Sequence, residues 1–333
     1  MNTRNYLTNI SKKKIFFLSI PVFFSNLAIP LVGLVDTGLM GNMGDTKYLA
    51  ASSIATSVMT MVIWSFGFLR MGTVGIVSQL FAKSDYREIL RTLLRNFLIA
   101  LLVGLIIILF KPIIFNSIKI FFLTSGETLN LINTYLSVRV FSVPAELITY
   151  ILVGFYLGIQ KTKISSLLVI TFSILNIVFS SFFVLTMKLG IFGVALGTLL
   201  SSYITTILFL VFTYNFIVKK FLILPNFNKI LVHSKIIKLL KINFDIFVRT
   251  VVLTFSFLWI TYLGSNLGED YLAANAILIQ FIILAAFFLD AYAFTTEGIV
   301  GFTIGKRNKK NFLSLVKNSI QISFITSLFI SLL

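Results

Sequence analysis

The stretch Ile15–Met40 reads IFFLSIPVFFSNLAIPLVGLVDTGLM and carries one charged residue, Asp36. An apolar run of this length can cross a bilayer as a helix, which needs about 20 residues. A charge at the centre of such a helix costs roughly 2.5–3.5 kcal/mol to insert, so Asp36 indicates a functional site and is a candidate proton carrier. The alternative is a carboxylate at the helix end that reaches interfacial water, since Met40–Asp45 reads as a loop.

The composition of the whole chain is that of a polytopic membrane protein. Of its 333 residues, 58% are hydrophobic and 12% are charged, and the mean hydropathy is +1.00. A soluble domain carries about 25% charged residues. The chain has no cysteine, which excludes disulfides and thiol-bound metals, and its single histidine, His233, cannot form a metal cluster alone. The run after Lys12–Lys14 is too long for a signal peptide, so no cleavable signal is predicted.

Nine apolar runs are long enough to span a membrane. They are Ile15–Met40, Leu49–Val77, Leu93–Phe110, Leu129–Leu157, Ile164–Leu185, Ile191–Ile217, Phe244–Leu263, Leu272–Val300 and Leu313–Leu333. Most lysines and arginines between the runs fall on one side, with only Lys47, Lys111, Lys119 and Lys188 on the other. This asymmetry predicts a cytoplasmic N terminus. It also explains the net charge of +17 without a nucleic-acid partner.

An internal repeat appears when the chain is shifted by 223 residues (272 − 49). LAA at 49–51 then meets LAA at 272–274, GIV at 75–77 meets GIV at 298–300, and Gly41 meets Gly264. The constant offset predicts two parallel repeats of six helices around a central cleft, a common transporter plan. Chance similarity between apolar helices is the alternative.

The repeat divides the chain into three predicted segments. Residues 1–217 form an N-terminal lobe of six helices, 218–241 a basic cytoplasmic linker, and 242–333 three helices of an incomplete C-terminal lobe. About nine of twelve helices are therefore expected. The sequence ends in the apolar run FITSLFISLL, which predicts a fragment or a prematurely terminated reading frame.

Long ordered stretches of the chain resemble the MATE (multidrug and toxic-compound extrusion) family, in its DinF-like branch. They are IPLVGLVDTGLMGNMGD at 29–45, FGFLRMGTVGIVSQLFA at 66–82, NFDIFVRT at 243–250, LAANAILIQ at 272–280 and FLDAYAFTTEGIVG at 288–301. The resemblance implies an all-α, two-lobed transporter rather than an enzyme. It would export amphipathic, often cationic compounds by alternating access, with H+ or Na+ as coupling ion and no other cofactor.

The resemblance also implies a polar ion-coupling cluster around Asp36 in the N-terminal lobe. Tyr135, Asn176 and Thr198 fall where archaeal members of the family place polar residues of the proton site. Ser180 stands where those relatives carry a second acid, and serine cannot hold the charge. For a polar residue in a membrane helix, an ordinary interhelical hydrogen bond is the alternative.

Glu146 is a second intramembrane acid that is able to replace the missing one. It shares one helix face with Tyr135, Arg139 and Ser142, at i, i+4, i+7 and i+11. The hypothesis is that Glu146 contacts a cation or takes part in a proton step. Arg139 is a candidate partner for Glu146, two turns away on the same predicted helix. An ion pair with a lysine or arginine from another helix is the alternative.

Asp290 and Glu297 lie seven residues apart on one face of the eighth predicted helix. Together they are able to bind a cationic substrate or an ion in the second lobe. They are equally able to pair with Arg249 as a structural bridge. Arg70, Arg139, Arg249 and Lys317 fall within or at the ends of helices, and snorkelling to the interface is the ordinary explanation for each.

The leading interpretation is a proton-coupled exporter in a bacterial inner membrane. Its substrates would be small cationic or amphipathic molecules, and the protein is expected to be a monomer. A flippase for lipid-linked saccharides is the alternative with the same fold. It would need several cations in its cleft for pyrophosphate, whereas acids are prominent within these spans. A non-transporting remnant is the third interpretation.

Overall fold

The computed structural model describes residues 11–121, 126–221, 237, 244–256, 259–260, 263 and 269–331, and the regular elements in these parts are helical. The helices are α1 Lys12–Gly41, α2 Thr46–Ser65, α3 Phe68–Ala82, α4 Tyr86–Leu109, α5 Lys111–Phe121, α6 Gly126–Arg139, α7 Val143–Gly158, α8 Thr162–Ser181, α9 Gly190–Phe221, α10 at residues 244–256, α11 Glu269–Gly305 and α12 Lys309–Ser331. A 3-10 turn, Val140–Ser142, joins α6 to α7, and a π turn, Phe182–Thr186, follows α8.

Seven spans in the described parts are long and apolar enough to cross a membrane. They are Lys12–Gly41, Thr46–Ala82, Tyr86–Leu109, Gly126–Gly158, Thr162–Thr186, Gly190–Val218 and Lys309–Ile330. These correspond to the first six predicted runs and to the ninth. The eighth run lies within α11, while the seventh is helical over 244–256 and otherwise falls largely outside the described residues, as does most of the predicted linker 218–241.

Two of the predicted runs are interrupted, so the prediction of single helices was wrong there. Leu49–Val77 is divided at Gly67, whose N–H donates to the carbonyl of Trp64 in a tight turn (2.9 Å). Leu129–Leu157 is divided by the 3-10 turn before α7. Pro144 in the first turn of α7 explains that break, because proline lacks the N–H that a continuous helix needs.

The bundle has two ends that differ in charge. The end here named the basic end comprises the start of α1 and the connections at 83–85, 159–161 and 306–308. The far end comprises the connections at 42–45 and 187–189 together with α5. Helix α5 has 11 residues and was not predicted, since it is too short to register as a span.

The centre of the bundle is formed by α6, the 3-10 turn and α7, which together make up the most buried of the seven spans. Helix α7 packs against α3, α4, α8 and α9. Buried polar side chains also join neighbouring helices, as where the amide of Asn96 in α4 donates to the hydroxyl of Thr73 in α3 (2.8 Å). Interhelical hydrogen bonds of this kind contribute about 0.6–2 kcal/mol each in membranes.

Helix α11 packs against α3 and α7 near the basic end through glycines. A Cβ at Gly298 would lie 2.4 Å from the carbonyl oxygen of Leu157, and one at Gly305 would lie 2.6 Å from that of Gln79. Small residues allow two helix backbones to approach this closely. The rings of Phe81 and Phe302 meet at 6.0 Å beside this contact. Helix α11 is therefore in close contact with α3 and α7 at the basic end.

Candidate ion-coupling site and central cleft

Asp36 lies in the second half of α1, six residues after Pro30 and five before the last residue of the helix. The side chain is half-buried, and its Oδ1 atom is buried without a hydrogen-bond partner among the residues that the structure describes. The hydroxyl of Ser180 faces the carboxyl group, and the guanidinium of Arg139 acts on it through its charge. A carboxyl oxygen that lacks a fixed donor remains available to a proton or a small cation.

A chain of buried hydrogen bonds leads away from this carboxyl group into α8 and α9. Ser180 Oγ donates to Asn176 Oδ1 (3.4 Å), and Asn176 Nδ2 donates to Thr198 Oγ1 (3.0 Å). Thr198 in turn donates to the carbonyl of Val194 (3.1 Å). A Cβ at Gly197 would lie 2.7 Å from the Ser180 hydroxyl, so α8 and α9 approach each other closely here. The structure thus brings Asp36, Asn176, Ser180 and Thr198 together, while their role in coupling stays a prediction.

Tyr135 belongs to the same cluster from the side of α6. Its ring is 2% exposed, and its hydroxyl accepts a hydrogen bond from Thr56 in α2 (3.2 Å). The charges of Arg139 and Asp36 both act on the phenol group. Thr56 was missed by the sequence analysis, because one threonine in an apolar helix gives no signal of its own.

Glu146 forms a buried ion pair with Arg139. The guanidinium bonds both carboxylate oxygens, with Nη2 3.2 Å from Oε2, and the Ser142 hydroxyl donates to Oε1 (2.8 Å). Only about a tenth of each charged side chain is exposed, at 10% and 14%. The snorkelling interpretation of Arg139 was therefore wrong. Glu146 pairs with Arg139, the partner predicted two turns away, and not with a lysine or arginine of another helix in the described parts. Whether the pair also takes part in coupling stays a hypothesis.

Asp290 and Glu297 are half-buried on α11, and the charges of Arg70 and Arg249 act on both of them. Neither acid is within 4.0 Å of a basic group in the described parts, so the predicted bridge to Arg249 is not formed there. Helix α11 therefore presents two carboxylates on which two guanidinium groups act through their charge without direct contact.

Arg70 was not recognised as a cleft residue from the sequence. Its guanidinium carbon lies 3.6 Å from the centroid of the Phe294 ring, and its Nη1 is buried without a hydrogen-bond partner in the described regions. The cation–π contact, rather than snorkelling, holds this side chain in place. No local pattern reveals it, because Phe294 lies in α11.

Tyr150 connects the two groups of charges. It is half-buried on α7, one turn after Glu146, and the charges of Glu146, Arg70 and Arg139 all act on its phenol group. The sequence held a usable signal for it, because position 150 extends by i+4 the helix face that carries Glu146. Tyr150 is thus acted on by the buried ion pair and by Arg70, whose charge also acts on the acids of α11.

Comparison with known proteins gives a consistent family. The profile of the MatE family matches residues 21–182 and 246–333. The chain is 31% identical over 331 residues to DNA damage-inducible protein F of Escherichia coli (strain K12), which covers 98% of this chain and 71% of that protein. It is 23% identical over 323 residues to the multidrug export protein MepA of Staphylococcus saprophyticus, covering 94% of this chain and 69% of that protein. A solved structure of an outward-facing multidrug resistance MATE family transporter superposes with a TM-score of 0.87 at 20% identity, over 96% of this chain and 70% of that one.

Ionisable groups inside a bundle of membrane-spanning helices mark substrate or ion pathways. The chain belongs to the MATE family, as the resemblance implied, and it has the fold of that family. Members of the family are transporters and not enzymes, in agreement with the prediction.

Proposed function

We propose that this chain acts as a proton-coupled antiporter that exports amphipathic, often cationic compounds by alternating access. The observation that carries the proposal is the position of Asp36, an acid within a spanning helix whose Oδ1 has no fixed partner in the described structure. Intramembrane acids of this kind mark proton or ion pathways. MepA, a multidrug export protein, supports small-molecule export.

The cleft chemistry supports a cationic cargo. Asp290 and Glu297 on α11 are half-buried and without a direct ionic partner among the described residues. Phe294 lies between them in sequence, and its ring carries the Arg70 guanidinium, so a cation is accepted at this position. Two carboxylates without a direct ionic partner suit the charged group of an amphipathic cation.

The distribution of charge supports the orientation. The basic end is assigned to the cytoplasm by the positive-inside rule, which places the N terminus inside and the far end outside. The multi-pass chain would then lie in a bacterial inner membrane as a monomer, with the bilayer and its small-molecule cargo as partners.

A flippase for lipid-linked saccharides is the second candidate, and Arg70 is the observation that favours it. Its guanidinium Nη1 is buried in the cleft without a partner in the described parts, as a pyrophosphate-binding group would be. Arg249 adds a second positive charge near it. The acids Asp290 and Glu297 oppose both arginines, which makes the site poorly suited to a polyanion.

Transport by the parent chain tests the proposal directly. In everted vesicles acidified inside by respiration, a fluorescent amphipathic cation should enter the lumen and release protons, because export from the cell is import here. Release is read as recovery of a quenched pH-sensitive dye and compared with vesicles that lack the chain. If uptake of the fluorescent cation is driven by an imposed sodium gradient and not by the proton gradient, sodium is the coupling ion. No release from vesicles shown to contain the protein would contradict the proposal.

The glycine contact at the basic end predicts how the cleft can be opened. Gly298→Val should separate α11 from α7, because a side chain there collides with the Leu157 carbonyl, which is backbone and cannot rotate away. Ser78 is fully buried beside this contact, and the chain has no cysteine, so Ser78→Cys is a unique reporter. Maleimide labelling of Ser78→Cys from the basic end should rise at least several-fold when Gly298→Val is added. Gly33→Val, where a Cβ meets nothing within 4 Å, is the matched control and should leave labelling unchanged.

A further inference from the structure

An apolar groove of about 300 Å³ lies between α4 and α9 near the basic end. Its lining includes Leu90, Leu94 and Phe97 of α4 and Leu210, Thr213 and Ile217 of α9. The groove exists because α4 and α9 both pack on α7 and have little direct contact with each other in the described structure. It is about twice the size of the roughly 150 Å³ apolar cavity that holds a benzene molecule.

The threonine at the floor of the groove has its hydroxyl group already hydrogen-bonded within the protein. The Thr213 hydroxyl is hydrogen-bonded to the hydroxyl of Tyr156 in α7 (2.7 Å), and Tyr156 is fully buried. The polar atom of the one threonine in the lining is therefore already paired. An apolar cavity of this kind does not hold water, so hydrocarbon is the favoured occupant.

The groove faces the lipid side of the bundle. Tyr214 at its α9 edge is 54% exposed, and Leu98 and Leu101, which follow the lining residues of α4, are 42% and 48% exposed. In a spanning bundle such surfaces meet the acyl chains of the bilayer. The groove is thus continuous with the hydrocarbon of the leaflet at the basic end.

Two arginines stand at the basic end of the groove. Arg87 precedes Leu90 by three residues and Leu94 by seven, and Arg91 follows one turn later, so both lie beside the lining positions of α4. Side chains of a helix tilt toward its N terminus, which here is the basic end. Arg87 is exposed.

The acids nearby leave this corner positive. Glu88 pairs with both Arg95 (2.8 Å) and Arg91 (3.5 Å), and the Asp85 carboxylate caps α4 by accepting from the N–H of Glu88. The three arginines at positions 87, 91 and 95 therefore outnumber the two acids. A net positive charge thus stands at the basic end of α4, beside the apolar groove.

We propose that this groove binds an anionic phospholipid of the leaflet at the basic end. One acyl chain fills the space between α4 and α9, and the headgroup phosphate contacts Arg87 and Arg91. Basic pockets between membrane helices recognise anionic headgroups in this way. The site lies outside the Asp36 cluster and does not depend on what the protein transports.

Quenching of a tryptophan at the groove by brominated lipid tests the proposal. The full chain, with Tyr214→Trp as reporter and its two native tryptophans changed (Trp64→Phe, Trp259→Phe), is reconstituted in phosphatidylcholine nanodiscs. A few per cent of phosphatidylglycerol with brominated acyl chains should quench the reporter as strongly as a local enrichment of about 25-fold would, since each of the two arginines favours an anionic lipid about fivefold and the two factors multiply. Brominated phosphatidylcholine should quench only in proportion to its amount.

Three variants separate the headgroup from the groove. Arg87→Gln with Arg91→Gln should abolish the enrichment, while Lys309→Gln with Lys310→Gln, which removes two exposed charges at the same end, should preserve it. Leu94→Phe adds volume inside the groove and should reduce quenching with both arginines present. Equal quenching by the two lipids, or enrichment that survives loss of both arginines, would overturn the proposal.

Discussion

Asp36→Asn is expected to abolish substrate-induced proton release from everted vesicles while leaving the amount of protein in the membrane unchanged. Asparagine has nearly the shape of aspartate, so the packing around α1 and the contact with Ser180 should survive. The amide cannot take up or release a proton at physiological pH. Asp36 supplies the carboxyl group beside the α8–α9 hydrogen bonds, so its loss should reduce release to the background of empty vesicles.

Asp45→Asn is the matched control for this experiment. Asp45 caps α2 at the exposed far end by accepting from the N–H of Lys47 (2.9 Å), so its replacement removes one acid outside the cluster. Asparagine is also a good N-cap residue, and proton release should remain near the parental rate. Release that persists in Asp36→Asn would move the coupling site elsewhere, with Glu146 as the next residue to test.

The spanning helices were predictable because their length is a property of the bilayer and not of tertiary contacts. The run Ile15–Met40 agrees with α1, Lys12–Gly41, to within three residues at each end. The breaks at Gly67 and before Pro144 were not recognised, since apolar residues continue across both and hydropathy does not register a turn. Helix α5 was missed for the opposite reason, because its 11 residues are too few to span.

The contacts of the site also differ in how well the sequence predicts them. Contacts between residues close together in the chain were predictable, whereas contacts between distant helices were not predictable from spacing. The Arg139–Glu146 pair was foreseeable, because the two residues are seven apart on one helix face. The grouping of Asn176 with Thr198 followed from family resemblance rather than from any spacing in the sequence. Arg70 was misread as a snorkelling residue, since its partner Phe294 lies in α11, more than 200 residues further along the chain. A contact between helices so far apart in the chain leaves no periodic signal.

Breaking the Arg139–Glu146 pair is expected to have the second-largest effect, which is a loss in the free energy of unfolding. Glu146→Gln leaves a guanidinium buried without its counter-ion, and breaking a buried pair in this way costs roughly 3–5 kcal/mol. Arg139→Gln should cost a similar amount by leaving the carboxylate alone. The double variant removes both charges and should be less destabilised than either single one. Thermal or denaturant unfolding of the four detergent-purified proteins gives the coupling between the two residues.

The pH profile of transport then separates a structural role from a coupling role for Glu146. If the ion pair only holds α6 against α7, the double variant should keep the parental pH dependence of dye-driven proton release at whatever rate it retains. If Glu146 takes part in a proton step, both variants that lack it should change that dependence, including the more stable double variant. If the double variant loses as much stability as the two single variants together, the ion pair itself is contradicted. Replacements of residues that share a buried pair do not have independent effects.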